Sequence, residues 1–274
     1  MSAPDLPVPT SAHLRGEQLY GDDFTPEQVQ QWFRDEAEAY FEMSGDSQEP
    51  GRYGYRELNR QALFRYISPS WRFHHALGFG SGYGTELAPL AGQIERVTIV
   101  ESSDGYGRDP ALVMPTAVVR ADPTGNIAVA NDSVDLVTCF NVLHHIPNVS
   151  HVLGEFARVL CSSGLLLLRE PTTSMGGNWG TRRPGLTTHE RGIPPSYLRD
   201  KLTAGGFEVE HDTFAIFPPV LKLWRLGPAP YNSRALTSVD RLLCRMLEAR
   251  WRYHAVSRWQ KIRPTEIAIL ARRT

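Results

Sequence analysis

Apolar residues follow two rhythms along this chain. In the first, Val29, Trp32, Phe33, Ala37, Tyr40 and Phe41 recur at the spacing of one helix face. Thr25, Pro26 and Gln28 supply the start of that helix. Threonine caps, proline takes the first helical position, and glutamine completes a capping box. A polar break over 44–51 precedes a second helical stretch over 55–67. Residues 1–24 are rich in proline and polar side chains, which predicts a flexible arm.

The second rhythm begins at 73. Short apolar runs at 73–77, 97–101, 117–121, 134–140, 165–168, 207–210 and 266–270 alternate with helical segments. Several runs are continuously apolar, as strands covered on both faces must be. The alternation predicts an α/β fold with a mostly parallel sheet between two helical layers. Asn148 opens one clear helix, and Val149, Val152, Leu153, Phe156 and Leu160 form its apolar face. The rhythm breaks twice, at a Gly-, Thr- and Arg-rich connection over 172–194 and at an insertion over 214–258 with a helix over 239–254. The organisation expected is therefore an arm (1–24), an N-terminal helical cap (25–70) and an α/β domain (71–274) carrying both insertions.

Composition adds exclusions. With 274 residues, 41% hydrophobic and 22% charged, the chain is ordinary globular material. A net charge of −1 gives no overall pull toward nucleic acid, and no nucleic-acid partner is expected. Cys139, Cys161 and Cys244 show no CxxC spacing, which points to a reducing compartment and away from structural zinc. The opening residues lack a basic-then-apolar leader, and no apolar run nears the roughly 20 residues that cross a bilayer. A cytoplasmic protein without a transmembrane segment is the expectation.

The richest local signal is the run from Ala76 through Gly78, Phe79, Gly80, Ser81 and Gly82. A strand feeds a glycine turn and then a helix, so backbone can approach a ligand closely and free N–H groups face it. Glu101 ends the next strand, 23 residues after Gly78, where an acid can accept hydrogen bonds from both hydroxyls of a ribose. A dinucleotide fingerprint, GxGxxG, needs a third glycine three positions after the second. That position holds Tyr83 in one register and Thr85 in the other.

The GxGxG form resembles the class I S-adenosylmethionine-dependent methyltransferases. Further motifs resemble the same family: Ala121-Asp122, then Ile127, then Asp132-Ser133-Val134-Asp135; Asn141-Val142-Leu143-His144-His145-Ile146-Pro147; and Glu155 to Leu160 followed by Gly164 and Glu170-Pro171. The likeness covers about 73–171 and continues weakly through 195–210. It implies a Rossmann-like three-layer sandwich of seven strands, the last antiparallel, with S-adenosyl-L-methionine as cofactor. Gly78, Phe79, Gly80, Gly82, Glu101, Asp122, Ile127 and Asn141 would bind it, Asp122 at the adenine amino group and Ile127 along the ring. Ala76 departs from the family, where many members carry an acid. Backbone carbonyls of the glycine turn could hold the methionine amino group instead.

Methyl transfer needs chiefly alignment and exclusion of water, plus a base if the acceptor is a hydroxyl. His144 and His145 follow the fourth strand, where the acceptor should approach. Neighbours in sequence point apart, so one of them faces it, and His145 is favoured over His144. If neither serves, Glu170 is the next carboxylate. The pair lacks a third ligand at metal spacing, so no metal is expected. The 172–194 connection, with Arg182, Arg183, His189, Glu190 and Arg191, can close over the pocket, and Tyr53 and Tyr55 can close the other side. Arg241, Arg245, Arg250, Arg252, Arg258, Lys261 and Arg263 form either a solvated face or a surface facing an anionic acceptor, such as a phosphorylated or nucleotide-linked sugar or an acidic lipid head group. The Trp251-Arg252-Tyr253-His254 mix can also sit at a membrane surface without being long enough to insert. The acceptor class is a small molecule or glycan, more readily methylated at oxygen. An NAD-dependent oxidoreductase and a non-catalytic binding domain stand as alternatives, and the oligomeric state stays open.

Overall fold

The computed structural model describes residues 6–43, 53–102, 109, 110, 112–174, 187 and 189–274, with backbone alone over 37–43. Seven strands form one sheet in the order β3-β2-β1-β4-β5-β7-β6. They are β1 (Ala76–Phe79), β2 (Val97–Glu101), β3 (Thr116–Arg120), β4 (Val134–Phe140), β5 (Leu160–Pro171), β6 (Phe207–Ala215) and β7 (Glu266–Arg273). The first five pair in parallel, and β7 runs antiparallel between β5 and β6. The expected α/β sandwich with an antiparallel last strand is the fold observed.

Period-two alternation sends the two sides of each strand into different cores. Leu77, Phe79, Val137, Cys139, Leu166 and Leu168 face one, where Val152, Leu153 and Phe156 of α4 (Val149–Val159) pack with Leu198 and Leu202 of α5 (Pro195–Ala204). Ala76, Leu136, Leu165, Leu167 and Leu270 face the other, covered by Leu63, Phe64, Leu87 and Leu90. A third cluster joins Leu58 of α3 (Arg56–Ala62) to Ile216, Phe217, Tyr231 and Cys244 of the late insertion. That insertion folds as α6 (Pro218–Leu221) and α7 (Arg234–Leu247) with short 3-10 turns between and after them.

Several boundaries depart from the periodic reading. β1 starts at Ala76, because the His74 and His75 amides donate to the Asp135 carboxylate at 2.7 and 3.0 Å before the ladder begins. After the glycine turn, Thr85–Gln93 is a 3-10 helix rather than an α-helix. Pro89 stands inside it and cannot donate a backbone bond. The second helical stretch shortens to Arg56–Ala62 and a 3-10 turn. β6 outruns its apolar segment because it is a sheet edge, where polar side chains are tolerated. α7 begins before 239, since the Ser233 hydroxyl caps it at the Leu236 amide.

The flexible-arm expectation fails for the described part of 1–24. Residues Ser11–Arg15 form α1, and Leu19 and Tyr20 are buried. The Tyr20 ring packs 5.2 Å from Phe24 and 5.8 Å from Trp32 of α2 (Pro26–Met43). Apolar packing onto the first long helix outweighs a proline-rich composition. Tyr40 and Phe41 lie outside the described side chains.

Phe156 tests the first core. Its side chain is fully buried and meets Phe79 edge to face at 5.1 Å. Phe156→Ala should lower unfolding free energy by about 3–5 kcal/mol, measured by urea denaturation. A loss below about 1 kcal/mol would mean that this layer is loosely packed.

Candidate cofactor and active site

The carboxyl ends of β1, β2 and β4, with the residue run after β3, open onto one pocket. Phe79 and Gly80 come from β1 and its turn, Glu101 from the end of β2, Asp122 from beyond β3, and Asn141, Val142 and His145 from beyond β4. Trp32, Phe33 and Glu36 of α2 close the far side.

The glycine turn is shaped by close approach. Gly80 has φ +63°, and a Cβ there would stand 2.5 Å from both γ-carbons of Val142. Gly78 belongs to β1, and a Cβ there would meet the Ser81 hydroxyl at 2.4 Å. The Gly82 amide donates to the Glu101 carboxylate at 2.8 Å. Gly78 and Gly82 therefore build the turn while Phe79 and Gly80 line the cavity. Beneath the turn lies the Glu86 carboxyl, buried and within reach of the Thr138 hydroxyl at 3.5 Å. Burial pushes Glu86 up to about 7. It supplies the acid under the turn that Ala76 does not.

Glu101 also accepts from its neighbour's amide, Ser102 N–H, at 2.7 Å. Asp122 is exposed at the rim, where the Thr124 hydroxyl and amide hold its carboxyl below the usual range. Ile127, like Gly78 and Gly82, does not line the cavity. Its side chain is buried in the first core, behind the cavity wall, and its amide donates to Glu155 at 2.8 Å. Asn141 adopts φ +59°, a region asparagine tolerates better than most residues. Its amide NH₂ donates to Glu266 at 3.1 Å, and its buried carbonyl oxygen has no hydrogen-bond partner among the described residues. An orphaned buried acceptor on a cavity wall fits a cationic donor on a bound ligand.

The two histidines play different parts. His144 is buried, with Nδ1 2.9 Å from Glu170 and Nε2 3.4 Å from Glu190. Burial works against its charge, yet the bonds to those two carboxylates outweigh it and raise the imidazole to about 9. Glu170 is wholly buried and also accepts the Val142 and Leu143 amides at 2.8 and 2.9 Å, which leaves it no room to act as a base. His145 faces the pocket. Its Nδ1 lies 2.9 Å from Glu36 and 3.1 Å from the Thr187 hydroxyl. Burial opposes ionisation of Glu36, but its bonds with His145, Thr187 and the His189 amide hold it below the usual carboxylate range.

The turn that carries both histidines is clamped from outside. Arg191 is fully buried, and its guanidinium donates to the carbonyls of Tyr20, His144, Ile146 and Pro147 at 2.6, 3.2, 2.9 and 2.9 Å. The Trp32 indole donates to the His145 carbonyl at 2.6 Å. Arg191 is thus structural, whereas Arg182 and Arg183 lie outside the described residues. His144, His145 and Glu190 do bring ligand atoms within 4.8 Å of one another, so Glu190 is the third group the sequence spacing did not offer a metal. A divalent ion would have to displace the proton that His144 holds between its carboxylates.

Comparison with known proteins identifies the domain that carries this pocket. Residues 77–168 match the methyltransferase domain family. A probable S-adenosylmethionine-dependent methyltransferase of Mycolicibacterium smegmatis is 29% identical over 145 residues, which cover 51% of this chain and 53% of that protein. A ubiquinone biosynthesis O-methyltransferase of Marinobacter nauticus is 29% identical over 103 residues, covering 34% of this chain and 43% of that one. The aligned region spans about half the length of such relatives. An S-adenosylmethionine-dependent methyltransferase structure from Mesorhizobium loti superimposes with TM-score 0.55 at 15% identity, covering 78% of this chain and 97% of that one. The cyclase SpnF gives TM-score 0.55 at 15% identity, covering 91% and 96%, so the likeness carries the fold and not the reaction. Fold, glycine turn and matched domain define a methyltransferase domain. Residues 77–168 form that domain, and the relatives that match it are named for S-adenosylmethionine as cofactor.

Two buried groups make stability depend on pH. A raised histidine stabilises the fold fully below its ordinary value of 6.5, and that contribution disappears as pH rises through about 9. A raised carboxyl acts in the same sense, present below 4.5 and lost through about 7. Glu86→Gln should therefore flatten the melting-temperature profile on the acid side of neutrality. His144→Asn should lower the melting temperature near pH 6.5 and flatten the profile above it. Profiles parallel to that of the unsubstituted protein would show that neither group is perturbed.

Proposed function

We propose that the protein transfers a methyl group from S-adenosylmethionine to a hydroxyl of a neutral small-molecule or glycan acceptor, with His145 taking the acceptor proton. The observation that carries this is the His145–Glu36 pair, at 2.9 Å, lining the same pocket as Gly80 and Glu101. When bound, the cofactor supplies a methyl carbon activated by an adjoining sulfonium. Glu101 would hold the ribose hydroxyls, Asp122 the adenine edge, and the orphaned Asn141 oxygen the methionine ammonium.

Glu36 fixes the tautomer of His145. A carboxylate at Nδ1 keeps the proton there and leaves Nε2 with its lone pair. Nε2 of His145 would then take the proton that an acceptor hydroxyl gives up on methylation. His144 is less suited, because both its nitrogens already face carboxylates. The carboxylates of Glu36 and Glu190 at this end favour a neutral acceptor over a phosphorylated one. Oxygen as the methylated atom accords with the Marinobacter relative, whose name states O-methyl transfer.

Isothermal titration tests the cofactor half. Glu101→Ala should cost about 1.5–3 kcal/mol of S-adenosylmethionine affinity, the range for hydrogen bonds to a charged group. Unchanged affinity in a folded variant would reduce Glu101 to a strand end. Turnover on a panel of hydroxylated acceptors tests the other half. His145→Ala should lower kcat by about 10²–10⁴-fold with cofactor affinity nearly intact. Full turnover in that variant would leave catalysis to alignment alone.

A further inference from the structure

The late insertion presents a face that the methyl-transfer site does not use. Between 222 and 261 the chain carries nine lysines and arginines against two acids, a net +7 within a molecule of net charge −1. One of those acids, Asp240, is buried and accepts bonds from the Ile216 and Phe217 amides at 3.1 and 2.7 Å and from the Tyr231 hydroxyl at 2.9 Å. It is the acid that α7 carries, and it points inward. Those bonds fix α7 on the body with its opposite face in solvent.

That outward face is apolar where a solvated helix would be polar. Val239, Leu242 and Met246 are 49%, 59% and 69% exposed. Spaced three and four residues apart, they form one ridge. Arg234, Arg241 and Arg245 follow the same helical spacing along its flank. Arg65 lies near Arg241 and adds charge of the same sign, whereas Arg60 is paired with Glu57. Eight of the twelve exposed large apolar side chains among the described residues fall between 223 and 259. A ridge of Val, Leu and Met beside arginines matches a lipid interface, where the apolar groups enter the acyl boundary and the guanidinium groups meet phosphates. RNA would satisfy the charge and leave the ridge in water. No helix among the described residues is long and apolar enough to cross a membrane.

We propose that this insertion docks the protein on an anionic bilayer surface through the α7 ridge and its row of arginines. The helix lies in the headgroup region, and the methyltransferase body stays in water. The acceptor is then met at or near a membrane.

The full chain should co-sediment with vesicles of phosphatidylglycerol and phosphatidylcholine mixed equally, and not with phosphatidylcholine alone. Raising salt should weaken binding, because the arginine contribution is screened. Arg245→Ser should weaken binding by roughly fivefold, the effect of one cation near an anionic surface. Leu242→Ser with Met246→Ser should weaken it by at least about tenfold. Both variants should keep the parent melting temperature and S-adenosylmethionine affinity, since these side chains are exposed and remote from the pocket. Three results would overturn the proposal: no binding to the anionic vesicles, equal binding to neutral ones, or ridge variants that bind as the parent does. Salt-sensitive binding to single-stranded RNA without vesicle binding would also overturn it and assign the arginines to nucleic acid.

Discussion

The Glu170 carboxylate, sealed at the end of β5, sets the geometry of the active end. A buried charge must be fully hydrogen-bonded or it destabilises the fold. Glu170 satisfies that demand by collecting the Val142, Leu143 and His144 amides and the His144 ring. One side chain thereby fixes the whole turn after β4. Arg191 and Trp32 complete the arrangement from the other side by taking the carbonyls of the same turn. With N–H groups anchored to an anion and C=O groups to a cation and an indole, His145 has a fixed outlook onto the pocket. His144 must then point away and serve as the charged link between Glu170 and Glu190.

A second buried network ties the cofactor wall to the rest of the molecule. Arg169, the residue before Glu170, pairs with Glu266 of β7 and donates to the Asn59 side chain at 2.9 Å. Its guanidinium lies 4.5 Å over the Tyr55 ring. Glu266 in turn receives the Asn141 amide, so the cofactor wall, α3 and the last strand share one set of bonds. Burial pushes Tyr53 and Tyr55 up to about 12 against the opposing pull of the Arg169 guanidinium, which leaves them neutral hydrogen-bonding groups and removes them as bases. The sequence reading placed both tyrosines beside the pocket; they stand in this supporting layer instead.

Features encoded locally were legible in the sequence. The glycine turn, the acid ending β2 and the continuous apolar strands each declare themselves within a few residues. Features made by distant partners were not. Glu36 and His145 are 109 positions apart, and nothing in the helix stripe around Trp32 marks Glu36 as a partner for an imidazole. Arg191 looked like a pocket-facing cation because its loop is Gly- and Arg-rich, yet tertiary contacts turn it inward. Pro89 was the one readable sign that the segment after the glycine turn would not be an α-helix. Ile127 sits in the family-like block as expected, but its apolar side chain finds a better home in the core than on a solvent-facing wall.

The distribution of charge connects the site to the proposed docking face. Groups around the cofactor pocket are predominantly acidic: Glu36, Glu101, Asp122 and Glu190 all stand at or beside it. A positively charged ligand is favoured there, and an anionic one is repelled. The positive charge of the chain is instead gathered on the insertion between β6 and β7, on a helix whose own acid is turned inward. An anionic surface is therefore attracted to the insertion and repelled by the pocket mouth. Such a separation lets one molecule stay at a negatively charged interface without that interface competing for the active site. The proposed methyl transfer then requires that the reacting hydroxyl be carried on a neutral part of whatever acceptor reaches the pocket.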